Sequence, residues 1–124
     1  MKIKSIEWWN SLPKTQDTNT EAEEGDSVVL INGIAFLIQR KNDFNNIVCL
    51  KVKSSKKEII KIFSTFRAWC QRQNIQYIRV EGRGKHHYKM LALLYRCSPE
   101  GADMLYAEEE SIRLNRHVWY IKTY

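Results

Sequence analysis

Residues 47–80 read IVCLKVKSSKKEIIKIFSTFRAWCQRQNIQYIRV, and the reading of this stretch decides the fold. Ile47 to Lys53 alternates Ile47 and Cys49 with outward positions and ends in a basic tail, the pattern of a strand. Ser55-Lys56-Lys57-Glu58 fits a capping box: the Ser hydroxyl accepts from the amide three residues on, while the Glu reaches back. Behind it Ile59, Ile62, Phe63, Phe66, Trp69 and Cys70 recur at helical spacing. That stripe predicts one apolar face on a helix of about five turns, ending near Asn74. Ile75 to Val80 then predicts a further strand. A helix of that length lets the two strands lie parallel in a β-α-β crossover.

Upstream, Val28-Val29-Leu30-Ile31 and Ile34 to Arg40 flank Asn32-Gly33. Asn-Gly between apolar runs is the strongest short hairpin signal, because both central positions need positive φ. Lys41 to Asn46 predicts a second turn, so three antiparallel strands form a meander that feeds the long helix. Further upstream, Ile3, Ile6, Trp9 and Leu12 are spaced three apart, which predicts a short amphipathic helix over residues 1–12 with Trp8 at its edge. Pro13 ends it. Residues 13–26, PKTQDTNTEAEEGD, carry almost no apolar side chain and predict a mobile acidic linker, leaving 27–124 as the folded domain.

Downstream, Glu81-Gly82-Arg83-Gly84 interrupts the strand. His86 to Arg96 reads as a second helix and Pro99-Glu100-Gly101 as a turn. Ala102 to Ala107 reads as a strand and Glu108-Glu109-Glu110 as a charged turn. Ile112 to Tyr124 reads as one long last strand, with Val118, Tyr120 and Tyr124 on one side.

A chain of 124 residues sets a prior of one domain. No apolar run approaches the roughly 18 residues of a membrane span. The N-terminus, MKIKSIEWWN, lacks a smooth apolar stretch, so secretion is not expected and a cytoplasmic location is. The three cysteines, Cys49, Cys70 and Cys97, are odd in number and widely spaced, which suits reduced thiols. With no C-x-x-C pair, a zinc site is not expected.

The net charge of +6 is unevenly spread. Residues 1–26 carry −3, and the stretch from Lys51 to Arg96 holds twelve Lys or Arg against Glu58 and Glu81, a local +10. Lys53, Ser55, Lys56 and Lys57 cluster at the start of the long helix, where the helix dipole already supplies positive potential and an anion would be stabilised. Arg79, Arg83, Lys85, His86, His87 and Lys89 form a second basic group, with Gly82 and Gly84 allowing close backbone approach. The carboxyl ends of two parallel strands would bring both groups to one sheet edge, where open sheets gather ligands. Lys53, Ser55, Lys56, Lys57, Arg83, Lys85, His86 and Lys89 are therefore the candidate anion-binding residues. A phosphate-rich ligand or nucleic acid suits them, although a solvated positive face kept for solubility gives the same pattern. No aromatic stacking platform is evident among these basic residues, which argues against a dedicated single-strand binder. Phe63, Phe66 and Trp69 read as core. Trp8, Trp9, Trp119 and Tyr124 are candidates for an interface with a protein partner or a second copy.

This order of elements resembles the GNAT acyltransferase fold, in which a meander feeds a long helix, a parallel strand, a second helix and a final hairpin. The resemblance covers about residues 27–124 and implies an α+β, three-layer (α/β) architecture. Tyr77 to Gly84 followed by a helix also resembles small GNAT-like proteins encoded by tailed phages. The family's phosphate loop carries Q/R-x-x-G-x-G/A after the third meander strand; here that place reads Val52 to Glu58 and holds no glycine. The family's tyrosine acid follows N-x-x-A-x-x-x-Y in the second helix; here Tyr95 stands without the matching asparagine, and Tyr88 is the nearest other phenol. Glu81 is the candidate base if it faces the cleft. The expectation is a phage-encoded, non-catalytic binding or structural protein with no cofactor. It would be virion-associated or act on the host, through its basic edge. Two alternatives remain. One is an acetyl-CoA-dependent N-acetyltransferase using Glu81 and Tyr95; the other is a nucleic-acid-binding accessory protein.

Overall fold

The computed structural model describes residues 1–14, 19–40, 45–51, 59–82 and 104–123. Asn32 and Gly33 adopt φ of 45° and 87°, the two left-handed positions that the Asn-Gly pair predicts. This turn joins β2 (Ser27–Ile31) to β3 (Ile34–Arg40), and β3 pairs in turn with β4 (Asn45–Lys51), completing the meander. The crossover helix is α2 (Ile59–Arg72), and β5 (Tyr77–Gly82) returns parallel to β4. The start of this unit, including the Ser55 capping box, lies outside the described residues, as do Lys41 to Phe44.

The chain enters through β1 (Lys2–Lys4), which lies antiparallel on β2, and continues into α1 (Ile6–Ser11). The single helix expected over residues 1–12 is thus divided. The Ser5 side chain accepts the Trp8 amide at 3.0 Å and caps the helix there. The residues before it are drawn into the sheet, and Ile3 stands exposed instead of facing the core. The end of the chain also departs from expectation. Glu108, Glu109 and Glu110 are not a turn but the first turn of α3 (Glu108–Leu114), where acids complement the helix N-terminus. Asn115 ends α3 in the left-handed conformation. The last strand is therefore shorter, β7 (His117–Lys122), and pairs with β5 on one side and β6 (Met104–Tyr106) on the other.

Among the described residues the strands form one mixed, seven-stranded sheet in the order β1-β2-β3-β4-β5-β7-β6, giving an α+β protein. Alternation assigns the faces. Val29, Phe36, Ile38, Ile47, Ile78, Val80 and Ile121 point to α2, whose Ile62, Phe63, Phe66, Trp69 and Cys70 complete the main core. The Phe66 ring stacks on Phe36 at 4.3 Å between centroids. On the opposite face, Val28, Ala35 and Leu37 receive Trp9 from α1. The segment expected to be a mobile linker is in part docked there. Ala22 is buried, its amide donates to the Asn10 side chain, and Trp9 Nε1 donates to the Thr20 carbonyl at 2.8 Å.

Deleting a buried aromatic ring removes both its burial and its contacts. Phe66→Ala is expected to destabilise the protein by about 3–5 kcal/mol, measured by urea denaturation.

Candidate functional site: the divided edge between β4 and β5

Among the described residues the parallel ladder of β4 and β5 has three residue pairs, Asn45↔Ile78, Asn46↔Arg79 and Ile47↔Val80. Both strands continue past it. β4 stays paired with β3 to Lys51, and β5 stays paired with β7 to Gly82. The sheet therefore divides at the carboxyl ends of its two parallel strands. Each half holds its own strand, and the main-chain groups that face across the gap are not used in a ladder with each other. Elsewhere in this sheet neighbouring strands stay paired along most of their length.

The helix is oriented by contacts at the far end. Arg67 Nε and Gln71 Nε2 donate to the Thr123 carbonyl at 2.8 and 2.6 Å. Thr123 Oγ1 and its amide are bonded in turn to the Ile75 and Gln76 carbonyls that lead into β5. The carboxyl half of α2 is thus tied to the amino end of β5, and its amino end lies toward the gap. Residues 52–58 leave β4, and residues 83 onward leave β5, at that same end of the sheet. Of the candidate anion-binding residues, Lys53, Ser55, Lys56, Lys57, Arg83, Lys85, His86 and Lys89 all belong to these two segments and lie outside the described residues. So do Tyr95 with its expected helix, Tyr88 and Tyr124.

Arg79, which the sequence groups with the second basic cluster, does not serve as a surface cation. It is buried, on the face opposite α2, and carries an ion-pair network. Its Nε and Nη2 donate to one Glu110 oxygen at 2.9 and 2.5 Å, and its Nη1 meets Glu81 at 2.6 Å and the Asn46 side chain at 2.9 Å. Tyr120 donates its hydroxyl to the other Glu110 oxygen at 2.8 Å. Arg116 takes the second Glu81 oxygen at 2.8 Å. Burial of Arg79 works against its charge, but its bonds to Glu81 and Glu110 outweigh this and raise its pKa. Partial burial would raise the Glu110 pKa; the Tyr120 hydroxyl and the Arg79 guanidinium outweigh it and hold the carboxyl below its usual range. Burial, then the Glu110 carboxylate, pushes the Tyr120 phenol up.

This arrangement bears on Glu81 as a base. Guanidinium groups engage both of its oxygens, so a proton arriving there must displace one of them. The network's chemistry is that of a fastener joining β4, β5, β7 and α3. Alternation offered a signal for it: a charged residue between Ile78 and Val80 in a strand flanked on both sides needs buried partners.

The interface candidates separate. Trp9 is fully buried in this chain's own core and is not a surface anchor. Trp8 is half-buried, with the Lys4 ammonium over its ring at 5.2 Å. Trp119 is half-buried, against the core under α2 on one side and Tyr106 on the other. Burial pushes the Cys49 and Cys70 thiols up to about 12, which removes them as nucleophiles near neutral pH. Among the described residues there is no group of three His, Cys, Asp or Glu that could hold a metal, and no helix long and apolar enough to cross a membrane. Comparison of the chain with protein-family models, curated proteins and solved structures found no match.

The sign of the Glu110 shift sets a pH dependence. A carboxyl whose folded pKa is depressed contributes stability above its unfolded value, about 4.5, and loses it as pH falls through the lower folded value. Glu110→Gln is expected to lower the thermal midpoint near pH 7. It should also flatten the acid limb below about pH 4.5, as read by thermal melts across that range.

Proposed function

We propose that the protein is a non-catalytic binding protein on a GNAT-like scaffold that holds a phosphate-rich ligand at the divided edge between β4 and β5. The observation that carries this reading is the gap itself: both strands keep their outer partners while their mutual pairing stops at Ile47↔Val80. A meander, one helical crossover to a parallel strand and a terminal antiparallel pair fit the scaffold. The electrostatics supply the ligand class. The two chain segments that leave the gap contain Lys53, Lys56, Lys57, Arg83, Lys85 and Lys89, against Glu58 as the one acid of residues 52–58. Phosphates are attracted by such a group and by the amino end of a helix beside it.

Two features favour binding over acyl transfer. The loop from Val52 to Glu58 has no glycine, so a pyrophosphate has side chains to accommodate as well as amides. Glu81, the candidate base, is committed to Arg79 and Arg116.

Isothermal titration of the full chain with inorganic pyrophosphate tests the reading. Binding is expected to weaken as salt rises and to fall at least tenfold in the double variant Lys56→Glu, Lys57→Glu. That variant should melt no earlier than the parent, since acids suit a helix start. Undiminished binding in the variant refutes the assignment, and turnover of acetyl-CoA by the unaltered protein refutes the non-catalytic part.

A further inference from the structure

The structure assembles an aromatic cluster that the order of residues conceals. Tyr106 on β6 stands opposite Trp119 on β7, and Gly82, the last residue of β5, stands opposite His117. Alternation puts Tyr106, His117 and Trp119 on one face of the sheet, the face covered by α2. The Tyr106 ring lies 5.0 Å from Trp119 at 58° and 6.1 Å from His117 at 35°, and its hydroxyl meets His117 Nδ1 at 3.1 Å. Trp119 is backed by the core, so the cluster has a rigid floor. Tyr106 is 38% exposed, so the residue is partly open to solvent above that floor.

Position gives the cluster its meaning. β7 separates β6 from β5, so the Tyr106 ring lies about two strand spacings, roughly 10 Å, from the end of β5, and the gap opens on the far side of that strand. A base and the phosphates of one nucleotide are separated by a single sugar, a span of that order. Glu110, the acid of α3 bonded to the sheet, does not oppose such a ligand from the same side: it reaches Arg79 and Tyr120 on the other face.

We infer that Tyr106, backed by Trp119 and held by His117, is a stacking platform for the base of a nucleotide whose phosphates lie at the gap between β4 and β5. The inference rests on the phosphate-binding reading and adds to it the chemical class of the ligand. A flat ring is what an exposed, rigidly backed aromatic side chain recognises, and every base offers one. The excess of positive charge over residues 51–96 complements the phosphates.

Titration of the full chain with ADP, inorganic pyrophosphate and adenosine separates the base from the phosphates. ADP is expected to bind about tenfold or more tighter than pyrophosphate, with adenosine weaker than ADP. Tyr106→Ala should remove the margin of ADP over pyrophosphate and leave pyrophosphate affinity unchanged, whereas Tyr106→Phe keeps most of it. A thermal midpoint within a few degrees of the parent's verifies that the exposed site has been altered without loss of the fold. ADP binding no tighter than pyrophosphate, or a margin that survives Tyr106→Ala, overturns the stacking platform while leaving the phosphate site standing. Failure of pyrophosphate to bind at all overturns the phosphate site and this inference with it.

Discussion

The joint between β4 and β5 is the constraint on which the rest of this structure depends. On one side of it, β1 to β4 are consecutive antiparallel neighbours that a local chain can assemble; on the other, β5, β7 and β6 form a second antiparallel group. The two groups meet through three parallel residue pairs. So short a ladder does not by itself hold two half-sheets together, and two other devices reinforce it. The first is α2, whose Phe66 stacks on Phe36 in the first half while the same apolar face packs on Ile78, Val80 and Ile121 in the second. The second is Arg79, which reaches Asn46 across the joint and is fixed by Glu81 and Glu110. The reinforcement lies on the two faces of the sheet, and the pairing of β4 with β5 stops before the carboxyl ends of the strands.

The two faces obey different physics. Under α2 the contacts are apolar and stabilise in proportion to the area they bury. The other face is apolar beneath Trp9; toward β5 and β7 it carries the Arg79 network beside the buried Val118. A buried guanidinium is tolerable when its hydrogen-bonding capacity is filled, and Arg79 has two carboxylates and an amide around it. This arrangement also specifies register. A slip of one residue in β5 would turn Arg79 into the Phe66 core and Ile78 toward Glu110, and neither environment accepts the exchange. The ionic face thus selects one pairing, whatever its net contribution to stability.

The sequence announces the parts of this fold that depend on local chemistry. Asn32-Gly33, the spacing from Ile59 to Cys70 and the alternation around Ile34 to Arg40 each specify their element within a few residues. What it conceals depends on partners distant in sequence. Ser5 is one hydroxyl within an apparently helical stripe, and its role as a cap shows only when residues 2–4 are seen paired to β2. Helix α3 is two turns long, too short to be stable alone. It is held by the Ser111 hydroxyl, which donates to the Ala107 carbonyl and accepts the Val118 amide, and by the left-handed Asn115. Read locally, the three glutamates look like a solvated turn and the residues after them like strand. Arg79 is concealed from a count of the twelve basic residues between Lys51 and Arg96, and only its place between Ile78 and Val80 signals its burial.

That burial sharpens the electrostatic argument. Among the described residues, Arg79 and Arg116 are ion-paired with Glu81 and Glu110, two charges of each sign. Setting Arg79 and Glu81 aside removes one charge of each sign from residues 51–96, and the excess of +10 there is unchanged. The described helix α2 contributes to it through Lys61, Arg67 and Arg72, of which Arg67 is bound to a neutral carbonyl. Most of the remaining excess belongs to the two segments that leave β4 and β5 at the divided edge. Glu81 and Glu110 are both bonded into the fastener. Among the described residues the fold satisfies its buried cation, Arg79, internally, and the anionic ligand proposed above would serve as counterion to the rest of the positive charge of residues 51–96.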